Sequence, residues 1–138
     1  MKIMVSACLL GENCRYDGGN NRNEKLLSFL RGHEVIPVCP EVMGGLPTPR
    51  VPSEIVGGDV KDKNGVSRGE SFKKGAKAAL EIALRERPDV IILQSRSPSC
   101  GVNMIYDGTF SGKLIPGSGV FARLARESGF KVKDVEDL

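Results

Sequence analysis

Four cysteines, Cys8, Cys14, Cys39 and Cys100, are the residues of this 138-residue chain best suited to chemistry. Three of them follow short apolar runs that read as buried strands: Ile3–Ala7 before Cys8, Val35–Val38 before Cys39, and Val90–Leu93 a few residues ahead of Cys100. In an open α/β sheet, the loops leaving the carboxyl ends of parallel strands meet in one crevice, where ligands bind. Thiolates are the preferred ligands of iron–sulfur clusters and of zinc. Three thiols brought separately to one crevice therefore make a candidate metal site, with Cys8, Cys39 and Cys100 as its expected ligands. Cys14 lies in the polar loop Glu12-Asn13-Cys14-Arg15-Tyr16-Asp17-Gly18, without a strand of its own. It is a spare ligand or a substrate contact.

Zinc sites usually carry cysteine pairs two to four residues apart on a tight knuckle. Here the closest pair, Cys8 and Cys14, has five residues between them, and the only histidine, His33, reads as a surface residue before a strand. An iron–sulfur cluster fits this spacing better. Arg15, Arg50 and Arg96 share the cysteine-bearing loops; each is either solvated surface charge or a counter-charge for thiolates and an anionic substrate. Glu41, Ser97 and Ser99 are the polar groups nearest to thiols. A carboxylate beside a metal site can move protons, and a hydroxyl can hydrogen-bond a polarised substrate atom. Gly117-Ser118-Gly119 opens the last helical pattern, and free N–H groups at a helix start attract anions.

These groups need a scaffold. Residues 2–7 predict a first strand and Glu34–Val38 a second, joined by a long Gly/Asn/Asp-rich loop from Leu10 to Asn23 and a short helix over 24–31. Asn23 caps that helix and Gly32 ends it. Cys39–Ser53, with four prolines and Gly44-Gly45, predicts irregular structure. Residues 55–66 read as a small hairpin turning at Gly57-Gly58 and Asn64-Gly65. Glu70–Arg87 predicts the main helix, with Phe72, Ala76, Ala79, Leu80, Ala83 and Leu84 on one apolar stripe and Pro88 behind it. The unbroken Val-Ile-Ile-Leu run of 89–94 is a buried strand. A hairpin around Ile105–Phe110, a helix capped by Ser118 through Glu127, and a last strand over 130–135 complete the pattern. Strands alternating with helices specify a three-layer, Rossmann-like α/β fold: an open, mainly parallel sheet with helices on both faces.

Bulk composition sets the limits. With 40% hydrophobic residues and no Trp, the chain predicts one domain over 1–138 with an aliphatic core. A net charge of +3 from 20 basic and 17 acidic residues is too mild to suggest nucleic-acid binding. No run approaches the roughly 18 apolar residues of a membrane span, and Met1–Cys8 lacks the apolar stretch of a signal, so the expected location is cytoplasmic. In a reducing compartment the cysteines argue for metal or catalysis rather than disulfides.

Taken together, Ser6-Ala7-Cys8-Leu9-Leu10-Gly11 with Cys14-Arg15-Tyr16-Asp17-Gly18, Cys39-Pro40-Glu41, Gly44-Gly45-Leu46, Pro49-Arg50, Ser97-Pro98-Ser99-Cys100-Gly101 and Ile105–Gly112 resemble the thiouracil desulfidase (TudS-type) family, over about residues 6–129. The resemblance implies a [4Fe-4S] cluster on three cysteines, with the fourth iron free to take the substrate's sulfur. It implies non-redox replacement of that sulfur by water on a thiolated pyrimidine, such as 2- or 4-thiouracil, 4-thiouridine or its monophosphate. By motif, Glu41 and Ser97 match the assisting Glu and Ser, while Cys14, Arg15, Asp17, Arg50, Ser99 and Ser118 are further substrate-contact candidates. Gln94 stands where many relatives carry Lys. Two rivals predict different behaviour: a zinc-stabilised binding module holds zinc without turnover, and a cysteine-persulfide relay works without metal.

Overall fold

A computed structural model describes all residues, Met1–Leu138. Its centre is a four-stranded, wholly parallel sheet of β1 (Lys2–Ser6), β2 (Glu34–Val38), β5 (Val90–Leu93) and β8 (Val132–Asp134), in the order β2-β1-β5-β8. Side chains alternate across a strand with a period of two, and the two cores follow that alternation. Ile3, Val5, Val90 and Ile92 pack with Leu26 and Leu30 of α1 (Glu24–Leu30) on one face. Met4, Ile91 and Leu93 pack on the other face with Ala76, Ala79 and Ala83 of α3 (Gly69–Glu86) and Phe121, Ala122 and Ala125 of α4 (Val120–Glu127). Helices thus cover both faces, as the sequence predicts. Beside the sheet stand two antiparallel hairpins, β3 (Ser53–Val56) with β4 (Asp59–Asp62) and β6 (Met104–Tyr106) with β7 (Leu114–Pro116).

The chain leaves β1 towards β2 on one side, while β5 lies on the other. That reversal opens the crevice at the carboxyl ends of β1 and β5, where α/β folds bind ligands. No helix is long and apolar enough to cross a membrane.

Several local expectations are corrected. Pro40–Met43, expected to be irregular, forms a short helix, α2, with proline in its first turn. A proline there has no N–H to lose, and α2 is held by α3 rather than by its own pattern. A Cβ on Gly75 would lie 1.7 Å from the Pro40 carbonyl oxygen, and one on Gly44 would lie 2.0 Å from that of Ser71. The two helices meet backbone to backbone because both positions are glycine. The second hairpin pairs Met104–Tyr106 with Leu114–Pro116, so Asp107–Lys113 is its loop rather than its second strand. Leu84 is exposed although it was expected on the buried stripe of α3.

Ser118 does not cap α4. The N-cap is Gly119, without a side-chain hydrogen bond. Backbone carbonyls do the work instead: Val120 N–H donates to Pro98 O at 2.8 Å, and Phe121 N–H and Ala122 N–H donate to Ser99 O at 2.9 and 3.1 Å. These bonds weld the start of α4 to the Ser97–Gly101 loop and use up the N–H groups that an anion would need.

Candidate active site

Each strand end delivers one cysteine. Cys8 lies in a 3₁₀ turn (Ala7–Leu10) directly after β1, Cys39 immediately follows β2 and precedes α2, and Cys100 lies within the loop between β5 and β6. All four cysteines are free thiols, and all four line one cavity of about 560 Å³. The Cys14 loop is anchored, contrary to the loose segment its composition suggests. Arg50 Nη2 donates to the Cys14 carbonyl at 2.9 Å, and Arg50 N–H donates to Tyr16 O at 2.7 Å.

The thiols differ in proton affinity. The single thiol proton of Cys14 is held by Cys39 first and by Cys8 second, which keeps its pKa well above the ordinary thiol value. The same contact lowers Cys8, against the cost of its burial, with help from the Asn21 side chain. Cys39 falls to about 7, first through Cys14, then through the Val42 backbone N–H and the Arg50 charge. Cys100 is pushed up to about 12 by burial, opposed by hydrogen bonds from Ser6 and Ser99.

Beside the thiols runs a chain of oxygen atoms. Glu41, in the first turn of α2, accepts from Arg50 Nε at 3.1 Å and from Ser99 Oγ at 2.8 Å. Ser99 Oγ lies 2.9 Å from Ser97 Oγ and 3.7 Å from Cys100 Sγ. Ser97 Oγ already accepts from the backbone N–H groups of Ser99 and Cys100, at 3.1 and 2.9 Å. Both of its lone pairs are taken, so its proton points to Ser99, and Ser99 in turn donates to Glu41. The direction Ser97→Ser99→Glu41 follows from this count of donors and acceptors.

Of the other candidates from sequence, Arg15 and Arg96 line the cavity. Arg15 is paired with Asp17 at 3.0 Å and Arg96 with Glu136 at 3.5 Å. Asp17 stands outside the cavity wall; it accepts from Gly19 N–H and holds Arg15. Ser118 lines a separate groove beside α3 and α4. Asn21 and Ser6 were missed by the sequence reading. Asn21 Nδ2 donates to Cys8 Sγ at 3.5 Å, and Ser6 Oγ receives the Gln94 N–H at 2.9 Å. The run Gly18-Gly19-Asn20-Asn21 was the only hint that the loop doubles back to β1. Tyr106 and Phe110 of the second hairpin complete the wall with flat apolar surface.

The donor set suits an iron–sulfur cluster. It consists of thiols from separate strand ends around a roomy cavity, and no three His, Cys, Asp or Glu side chains close around a point as a lone ion's ligands do. Soft sulfur donors of this kind favour iron–sulfur centres over hard cations.

Comparison with known proteins agrees. The chain is 40% identical to the protein YbbK of Bacillus subtilis (strain 168), itself described as uncharacterized, over 99% of this chain and 97% of that one. A solved structure described as the [4Fe-4S]-dependent thiouracil desulfidase TudS superposes with a TM-score of 0.93 at 40% identity, covering 99% of this chain and 92% of the other. The model of the 2-thiouracil desulfurase family matches residues 3–137. With the thiols and their carboxylate already gathered in one cavity, the chain belongs to the 2-thiouracil desulfurase family.

Proposed function

We propose that this protein is a [4Fe-4S]-dependent desulfidase that hydrolyses a thiolated pyrimidine to its oxo form and sulfide, without net redox change. Cys8, Cys39 and Cys100 would hold the cluster, which when bound supplies a Lewis-acidic iron with affinity for thione sulfur. The observation that carries the reading is the joint arrival of these three thiols and the Glu41–Ser99–Ser97 chain at one cavity.

In balance, C=S and water give C=O and H₂S. Glu41 takes a proton from the attacking water. It is fixed for this by Arg50 on one oxygen and Ser99 on the other. Glu41 gives that proton to the departing sulfur and carries the second, from the C–OH that collapses to C=O, by the same route, while Ser97 and Ser99, donating in the order Ser97→Ser99→Glu41, hold its carboxylate in place. One carboxylate thus serves as base and then as acid. Tyr106 and Phe110 offer flat surfaces for a pyrimidine ring, and Arg15 and Arg96 line the same cavity with positive charge. The substrate class is a free thiouracil or its nucleoside or nucleotide.

Anaerobic reconstitution with iron and sulfide, followed by a sulfide-release screen over 2-thiouracil, 4-thiouracil, 4-thiouridine and its monophosphate, tests the reading. Release of sulfide matched by the oxo pyrimidine supports it. Iron-free turnover, or stoichiometric zinc with no turnover, contradicts it.

A further inference from the structure

Three carboxylates are buried in the fold: Glu54, Asp62 and Asp134. Two of them serve the scaffold. Both oxygens of Asp62 are occupied, by the backbone N–H groups of Asn64 and Val66 and by Arg68. Asp134 lies outside the cavity wall and holds Ser95 Oγ and the Glu136 N–H. Glu54, on β3, lines the cavity and has no part in the proton transfers above.

Its two oxygens are unequal. Oε1 accepts from the backbone N–H groups of Gly108 and Phe110, at 2.9 and 3.2 Å. Oε2 has no partner in the protein, and since every buried side-chain oxygen or nitrogen is hydrogen-bonded, Oε2 meets open space. A carboxylate only 9% exposed, with one oxygen unused, is unfavourable until a donor reaches it. Oε1 meanwhile fixes an aromatic neighbour. Phe110 has a φ of 56°, a left-handed backbone uncommon outside glycine, and its N–H bond to Glu54 holds it there. Gly108 lets this loop lie against β3, because a Cβ on it would stand 2.6 Å from Ile55 O. A flat ring and an unused carboxylate oxygen thus stand together in the wall of the cavity.

Building on the desulfidase reading, we propose that Glu54 Oε2 accepts the N3–H of the thiolated pyrimidine while Phe110 covers a face of the ring. N3 lies between C2 and C4, so its N–H adjoins the reacting carbon whichever of the two carries sulfur. N1, by contrast, bears the sugar in a nucleoside. An acceptor at N3 keeps the proton on nitrogen and so holds the thione form, whose C=S carbon is the electrophile; in the thiol tautomer that proton has moved to sulfur. Glu54 makes and breaks no covalent bond. It is a specificity residue beside Glu41.

The test compares anaerobically reconstituted wild type and Glu54→Gln on the 1-methyl and 3-methyl derivatives of 2- and 4-thiouracil. The 1-methyl compounds keep N3–H and the 3-methyl compounds lack it. In Glu54→Gln the amide oxygen still takes the Gly108 and Phe110 N–H groups, which puts an NH₂, a donor, where Oε2 was. Wild type is expected to prefer the 1-methyl isomers by about 10–100-fold in kcat/KM, the range for a hydrogen bond to a charged group. The difference should fall on KM, because the N3–H is present before and after attack. Glu54→Gln is expected to load iron as wild type does and to lose most of that preference, whereas simple crowding of the 3-methyl group would persist in a side chain of the same size. Equal turnover or equal rejection of the two isomers by wild type, or a preference unchanged in Glu54→Gln, would overturn the assignment and leave the desulfidase reading intact. A wild type that releases sulfide from none of these compounds, nor from their unmethylated parents, would overturn both.

Discussion

Arg50 and Glu41 form an ion pair at 3.1 Å whose side chains are only 7% and 15% exposed. The other guanidinium nitrogens are also used, on Pro47 O, Thr48 Oγ1 and Cys14 O. One arginine therefore fixes the carboxylate, the proline-rich turn and the Cys14 loop together. A planar fork does this, and a lysine ammonium does not reproduce it. Arg50→Ala leaves a largely buried carboxylate without its partner, and breaking such a pair costs about 3–5 kcal/mol. Denaturant unfolding of the cluster-free protein is expected to show a loss of that order, with Arg50→Lys recovering only part of it. An unchanged midpoint in Arg50→Ala would mean that the pair contributes nothing to the fold of the site.

Glu41→Gln keeps the shape of the side chain and removes its ability to accept a proton. The variant is expected to load iron normally and to lose about 10²–10⁴-fold in turnover, the usual range for a general acid–base group. Near-normal rates in an iron-replete variant would make Glu41 a bystander.

The contact between α2 and α3 admits no side chain at Gly75, where a Cβ would lie 1.7 Å from Pro40 O and 2.9 Å from the Gly44 nitrogen. Backbone cannot retract as a flexible side chain can. Gly75→Ala should push away the segment that carries Cys39 and Glu41, at about 1–3 kcal/mol for overpacking. Thermal unfolding and iron content after reconstitution check this; a variant equal to wild type in both would show that α2 adjusts freely.

Thiolate, not thiol, reacts with alkylating agents. In the cluster-free protein Cys39, at about 7, is substantially ionised at neutral pH, whereas buried Cys100, at about 12, is not. Iodoacetamide mapped by mass spectrometry is expected to label Cys39 early and Cys100 last. The Cys39 rate should rise with pH up to about 7 and then level off. Labelling of Cys100 ahead of Cys39 would contradict these environments.

The sequence made legible what depends on local pattern. The apolar runs of β1, β2 and β5 and the Asn23 cap of α1, whose side chain accepts the Leu26 N–H at 2.9 Å, follow from neighbouring residues alone. Because the strand ends were legible, so was the arrival of three cysteines at one crevice. What escaped depends on partners distant in sequence. The helix α2 exists because Gly44 and Gly75 let it lie on α3. The α4 cap comes from carbonyls of Pro98 and Ser99, so the nearby Ser118 was a false signal. Asn21 reaches Cys8 across thirteen positions. The order of the Ser97, Ser99 and Glu41 hydrogen bonds required knowing that two backbone N–H groups already occupy Ser97.

The central claim is that three strand-end cysteines hold the cluster and the loop cysteine is dispensable for holding it. Iron and labile-sulfide counts on anaerobically reconstituted Cys8→Ser, Cys14→Ser, Cys39→Ser and Cys100→Ser test it most directly. The account predicts that the Cys8, Cys39 and Cys100 variants assemble no stable cluster, while Cys14→Ser retains iron and sulfide at the wild-type level. Loss of the cluster in Cys14→Ser, with retention in any of the other three, would contradict it.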